Sequence, residues 1–230
     1  MSDGAIIVAG SKYILPGFKV HTWLDHGMTF EPDQAPRRVD AVRWCVLHWT
    51  ASERSGELGA AQIHRTLQSR GLSVEFAITN EGDIWQFLDP VEQRARHCSR
   101  VNAYSVGVEV SGVGWVRAGM PLLGATTRRR QYEARIHGWK TRFFDYLVEQ
   151  QNSVNALSSA LVESLDIEPR VLTSPWERRP KSVFETESGF CGHLHAAWLK
   201  QKHPKTDPGT APLLALQRYL DRGGPRIERG

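Results

Sequence analysis

The chain has 230 residues, 40% hydrophobic and 23% charged, with a formal net charge of +4. That composition excludes a disordered or low-complexity polypeptide and describes one globular domain with elaborations, long enough to bury a core. The weak positive charge favours an anionic polymer as partner without naming one, and no run of about 18 apolar residues is present to span a membrane.

Three widely spaced cysteines, Cys45, Cys98 and Cys191, make no disulfide framework and read as reduced thiols. The first residues carry an acid before a short apolar run and lack a basic start, which argues against a secretory leader and for synthesis in the cytoplasm. Residues 1–40, rich in Gly, Pro and charge, are expected to form an arm packed on the domain, with a short hairpin around residues 6–20. The run Val42-Arg43-Trp44-Cys45-Val46-Leu47-His48-Trp49 predicts a buried strand that ends at polar Thr50 and Ser52. Residues 58–69 predict a helix stopped by Gly71. Residues 74–79 and 84–88 flank the turn Asn80-Glu81-Gly82-Asp83 and predict a hairpin.

Val106-Gly107-Val108-Glu109-Val110 is a further strand, with a glutamate interrupting an apolar series. Residues 111–130 read as a long loop, and the basic runs at 128–130 and 178–181 as solvated surface. A helical block is expected over 131–165, broken near Asn152, with Leu157, Leu161 and Leu165 as its core stripe and Pro169 after its end. Val171-Leu172-Thr173 predicts a strand, residues 174–188 a loop, and residues 211–219 a final helix. Together these elements predict a single α/β domain over 41–223, with a central mixed β-sheet flanked by helices, and a tail at 224–230.

The densest chemistry lies in Cys191–Gly209, which holds three histidines and then Lys205-Thr206-Asp207-Pro208-Gly209. His48, at the end of its strand, joins His193 and Asp207 as two imidazoles and a carboxylate. Such a set suits Zn²⁺ with its fourth position open to water. His195 rivals His193, because the two side chains share a face if the segment is extended. His203, before a proline, reads as exposed. Cys191 is set aside as a ligand because the histidine–aspartate set already fills a three-ligand site. Cys98 beside His97 lacks the third group a nucleophilic pair needs.

The series His48-Trp49-Thr50-Ala51, Phe76-Ala77-Ile78 before Glu81-Gly82, Arg96-His97, Ser105-Val106-Gly107-Val108-Glu109, Gly192-His193 and Lys205-Thr206-Asp207-Pro208-Gly209 runs in this order over about residues 42–210. It resembles the zinc-dependent N-acetylmuramoyl-L-alanine amidases related to peptidoglycan-recognition proteins. The resemblance implies that fold, zinc held by His48, His193 and Asp207, Glu109 as general base and Lys205 as support for the transition state. It further implies substrate contacts from His97, Trp49 and Thr50, and peptidoglycan or a muropeptide as partner rather than nucleic acid. Action would be at the cell wall after release or delivery, as for a phage or prophage lysin, or in the cytoplasm on recycled muropeptides. A non-catalytic muropeptide-binding domain and a zinc enzyme for another amide are the rival readings.

Several positions depart from the family pattern. Glu75 stands where histidine is common, and Val74 where some phage members carry a catalytic tyrosine. Residues 196–203 look like an insertion, and the stretches 115–140 and 174–190 are long. Trp115, Trp139 and Trp176 near them are candidates to stack on sugar rings, although packing is the simpler role.

Overall fold

The computed structural model describes residues 3–31, 36–116, 124–174, 179–196, 205–224 and 227–229. The N-terminal segment forms the antiparallel pair β1 (Gly4–Val8) and β2 (Ser11–Leu15), then β3 (Val20–Thr22) and the single turn α1 (Trp23–His26). There follow β4 (Trp44–Trp49), α2 (Gly56–Ser69), β5 (Phe76–Ile78), β6 (Ile84–Gln86) and β7 (Ser105–Val110). The second half contains β8 (Gln131–Ile136), β9 (Trp139–Phe144), α3 (Val148–Leu165), α4 (Lys181–Thr186), β10 (Gly189–Gly192), α5 (His193–Ala196), α6 (Ala211–Leu220) and β11 (Glu228–Arg229).

Six strands make the central sheet in the order β10-β4-β7-β5-β6-β3, parallel except for the β5–β6 pair. A mostly parallel sheet must be covered on both faces, and the strand sequences meet that demand with near-continuous apolar runs. Along β4 the side chains alternate. Cys45 and Leu47 join the cluster of Leu157, Leu161, Leu213 and Leu216 from α3 and α6. Trp44 and Val46 face Phe184, Cys191 and Ala196 on the other side. On that same side Ile63 and Leu67 of α2 pack on Ala77, Trp85 and Phe87, with Phe30 of the N-terminal segment closing the cluster. The N-terminal hairpin and the C-terminal β11 form a small separate sheet, and β3 extends the central one.

The mixed sheet flanked by helices agrees with the expected fold class, but the helical block over 131–165 is corrected. Only its second half is helical, unbroken through Asn152. Residues 131–144 pair as the β8–β9 hairpin, with Tyr132 opposite Phe143 and Ile136 opposite Trp139. The two residues between the strands, His137 and Gly138, have φ of 49° and 85°. Positive φ at both central positions is what a two-residue turn matched to the strand twist requires. The strand expected at 171–173 reduces to a single bridge between Val171 and Phe190, and residues 181–186 are helical rather than loop.

Glu75, which stands where the family commonly has histidine, belongs to the frame of the fold. Its side chain is fully buried, accepting from Arg37 Nη2 at 3.0 Å, Ala95 N at 3.2 Å and Gly107 N at 2.7 Å. Arg37 in turn donates to the carbonyls of Pro90, Asn102 and Ser105. This buried pair fastens the loop before β7 onto the sheet. Because an unpaired buried guanidinium is costly, Glu75→Ala is expected to lower stability by about 3–5 kcal/mol in urea unfolding, whereas Asp40→Ala, which breaks the exposed Arg38–Asp40 pair, leaves the midpoint unchanged. Equal small effects would contradict the role given to Glu75.

Candidate active site

The register of three parallel strands builds the site. Cys191 lies beside Val46, and Val46 beside Gly107; one step further along, His48 lies beside Glu109. Residues paired across a parallel sheet share a face, so His48 and Glu109 project to the same side at the C-terminal rim. β10 ends at Gly192, opposite Leu47, so His193 occupies the next place in register, beside His48. A row His193–His48–Glu109 follows from pairing alone.

Asp207 reaches this row from a loop. Its carbonyl accepts from Leu194 N at 3.0 Å, and Gly209 N donates to Thr206 O at 2.8 Å to tighten the turn. Gly192 makes the approach possible: a β-carbon there would stand 2.5 Å from Pro208 Cδ and 2.9 Å from Asp207 O. The outcome is a triangle of ligand atoms. His48 Nδ1 and His193 Nδ1 are 3.0 Å apart, His193 Nδ1 and Asp207 Oδ2 3.1 Å, and His48 Nδ1 and Asp207 Oδ2 3.3 Å. Among the described residues these three are the group of side chains whose ligand atoms converge closely enough to hold a metal ion.

Electrostatics follow the geometry. Burial and the neighbouring His193 push the His48 pKa down to about 4. Burial alone would lower His193, but the Asp207 carboxylate and a hydrogen bond to the Cys98 thiol raise it to about 10. Asp207, despite burial, is held well below the carboxylate range by His193 and His48. Glu109 moves the other way, up to about 8, through burial and then the charge of Asp207. Its Oε2 is buried without a hydrogen-bond partner among the described residues.

The four residues line a cleft of about 460 Å³ together with Trp49, Thr50, Arg54, Arg70, Trp115, Lys205 and His97. Trp49 and Trp115 meet edge to face at 5.8 Å and form one wall. The Thr50 hydroxyl donates to Ser52 O and accepts from Gly112 N, which shapes the loop at the rim. Behind that loop the buried Arg129 guanidinium grips Glu53 at 2.8 and 2.9 Å and also bonds Asn80, Ser111 and Gln150. The Arg129 anchor was read as solvated surface from sequence, and only its long-range partners reveal it.

The rivalry of the two histidines is resolved by the turn of helix that begins at His193. His195 points away from the cleft, its Nδ1 accepting from Gly192 N and its Nε2 bonding Ser174 O. Cys191 is fully buried in the core. His97 lines the cleft and lies against His48 with both ring nitrogens engaged, one by His48 and one by Ser105. His203, Trp176 and most of the expected insertion at 196–203 lie outside the described residues.

A family profile described as N-acetylmuramoyl-L-alanine amidase matches residues 38–210. The chain belongs to that family. As a family member it is an amidase, and the matched span contains every residue of the row and the Asp207 loop. Solved structures similar to the amidase include the endolysin LysCS of Clostridium intestinale, at 15% identity and a TM-score of 0.50, covering 88% of this chain and 95% of that one. Peptidoglycan recognition protein SD of Drosophila matches at 16% identity and a TM-score of 0.51, covering 87% and 94%. Staphylococcus aureus AmiA matches at 13% identity and a TM-score of 0.52, covering 90% and 86%. No curated protein matches the amidase sequence.

The role of Gly192 gives a direct check of the triangle. Gly192→Ala is expected to push Asp207 away from His193 and weaken uptake of a divalent metal titrated into the apo protein by at least about 10-fold. Wild-type affinity in that variant would contradict the packing described.

Proposed function

We propose that the amidase is a zinc-dependent peptidoglycan hydrolase that cleaves the amide between N-acetylmuramic acid and the L-alanine of the stem peptide. The observation that carries this reading is the triangle of His48 Nδ1, His193 Nδ1 and Asp207 Oδ2, with edges of 3.0–3.3 Å. Ligand bonds of about 2.0–2.1 Å set the atoms of a tetrahedral zinc site about 3.3 Å apart, and two imidazoles with one carboxylate are a donor set that zinc accepts. Zinc held there would supply Lewis acidity toward the scissile carbonyl and lower the pKa of water to about 7.

The chain's own residues supply the rest. Glu109 takes the proton of the attacking water and passes it to the leaving nitrogen. Its burial beside Asp207 makes the anion costly and proton uptake favourable. Lys205, at the cleft beside Asp207, supports the oxyanion that forms on the carbonyl. Trp49 and Trp115 offer an aromatic wall for a sugar ring, and Thr50, on the rim of the same cleft, offers a polar contact for the peptide.

A binding role is the second reading: the structural neighbour peptidoglycan recognition protein LE is known in complex with monomeric peptidoglycan, at a TM-score of 0.52. A recognition domain needs the cleft but not the base, and the complete donor set beside an unpartnered Glu109 oxygen favours hydrolysis. Among the described residues no helix is long and apolar enough to cross a membrane. The proposed setting is the wall polymer, the substrate of a phage or prophage lysin.

Purified protein is expected to carry about one zinc per chain, lost in His193→Ala. Glu109→Gln should keep the zinc while turnover falls by about 10²–10⁴-fold. Full zinc occupancy in the first variant would remove His193 as a ligand, and unchanged turnover in the second would remove Glu109 as the base.

A further inference from the structure

His97 touches the metal triangle without belonging to it. Its Nδ1 lies 3.1 Å from His48 Nε2, its Nε2 lies 3.1 Å from Ser105 Oγ, and Ser105 Oγ donates to Val101 O at 2.8 Å. The direction of every proton in this chain follows from its far end. A carbonyl oxygen only accepts, so the single Ser105 hydroxyl proton is spent on Val101. Ser105 Oγ therefore accepts from His97 Nε2–H. A neutral His97 is left with its lone pair on Nδ1, and His48 must donate from Nε2. The lone pair of His48 then sits on Nδ1, the atom that faces His193 and Asp207.

The ring of His97 is held for this task. A β-carbon at Gly107 would stand 2.5 Å from His97 Cγ and 2.8 Å from Cδ2, so the ring needs glycine at this place in β7 to come this close to the strand. The surrounding loop is pinned at each step: Ala95 N to Glu75, Arg96 N to Ser73 Oγ at 2.7 Å, and Cys98 N to Asn102 Oδ1 at 2.7 Å. His97 is 8% exposed, a setting for an internal support.

We infer that His97 is a positioning residue of the metal centre: with Ser105 and the space left by Gly107 it fixes the tautomer and orientation of His48, so that Nδ1 is presented as a ligand atom. The inference rests on the proposed zinc reading, since a ligand-ready His48 has value only where a metal binds. Outer partners of this kind are generally worth 10- to 100-fold in metal affinity.

The test combines zinc titration against a competing chelator with nitrogen NMR of ¹⁵N-histidine-labelled, metal-free protein. Wild type is expected to show His48 protonated on Nε2. His97→Leu should loosen zinc by about 10- to 100-fold and give a mixed His48 tautomer. His97→Asn, whose Oδ1 can replace Nδ1 as acceptor, should recover most of the affinity. Gly107→Ala, which moves the ring without altering any ligand, should resemble His97→Leu and serves if that variant fails to fold. Wild-type zinc affinity in both His97→Leu and Gly107→Ala would overturn the inference, as would a metal-free His48 protonated on Nδ1. If the wild type itself takes up no zinc, the proposed function fails, while the tautomer measurement still decides the relay.

Discussion

The site depends on the parallel register of β10, β4 and β7. β4 and β7 contribute His48 and Glu109, and His193 follows directly on the end of β10, so a slip of one residue in either pairing would break the row. Register is strongly specified here because β4 is buried on both sides: Cys45 and Leu47 pack under α3 and α6, Trp44 and Val46 under α4 and α5. Core packing and ligand placement are thus one constraint. Asp207 is the exception, since it reaches the row through loop contacts and the clearance at Gly192.

Two buried ion pairs brace this frame. Glu75 answers Arg37, and Arg129 answers Glu53 with further bonds to Asn80, Ser111 and Gln150. The first pair fastens the loop that carries His97, and the second fastens the loop that follows His48. Glu109 Oε2, like Trp44 Nε1, Thr79 Oγ1 and several other buried polar atoms, has no hydrogen-bond partner among the described residues. What sets Glu109 apart is its place in the sheet beside His48 and the cluster of metal-ligating atoms, the position that the proposed base requires.

Much of this was legible in the sequence, for stated reasons. Short apolar runs mark β4 and β7, leucine spacing marks the second half of α3, and His48, His193 and Asp207 were identifiable as a donor set. The β8–β9 hairpin was missed because Tyr132, Ala134 and Ile136 alternate only briefly and the turn is marked only by His137-Gly138. His193 and His195 could not be separated, because the difference lies in one helical turn beginning at the first of them. The buried settings of Glu75 and Arg129 were not legible, for a common reason. Their partners are distant in sequence or depend on which face a loop presents, and a one-dimensional pattern carries no signal for either.

The central claim is the bond that is cut. Mass spectrometry of purified peptidoglycan digested with the zinc-loaded protein tests it most directly. The account predicts release of stem peptides with a free L-alanine amino terminus from intact glycan strands. Shortened glycan strands, or opened cross-links with stems still attached to muramic acid, would contradict it.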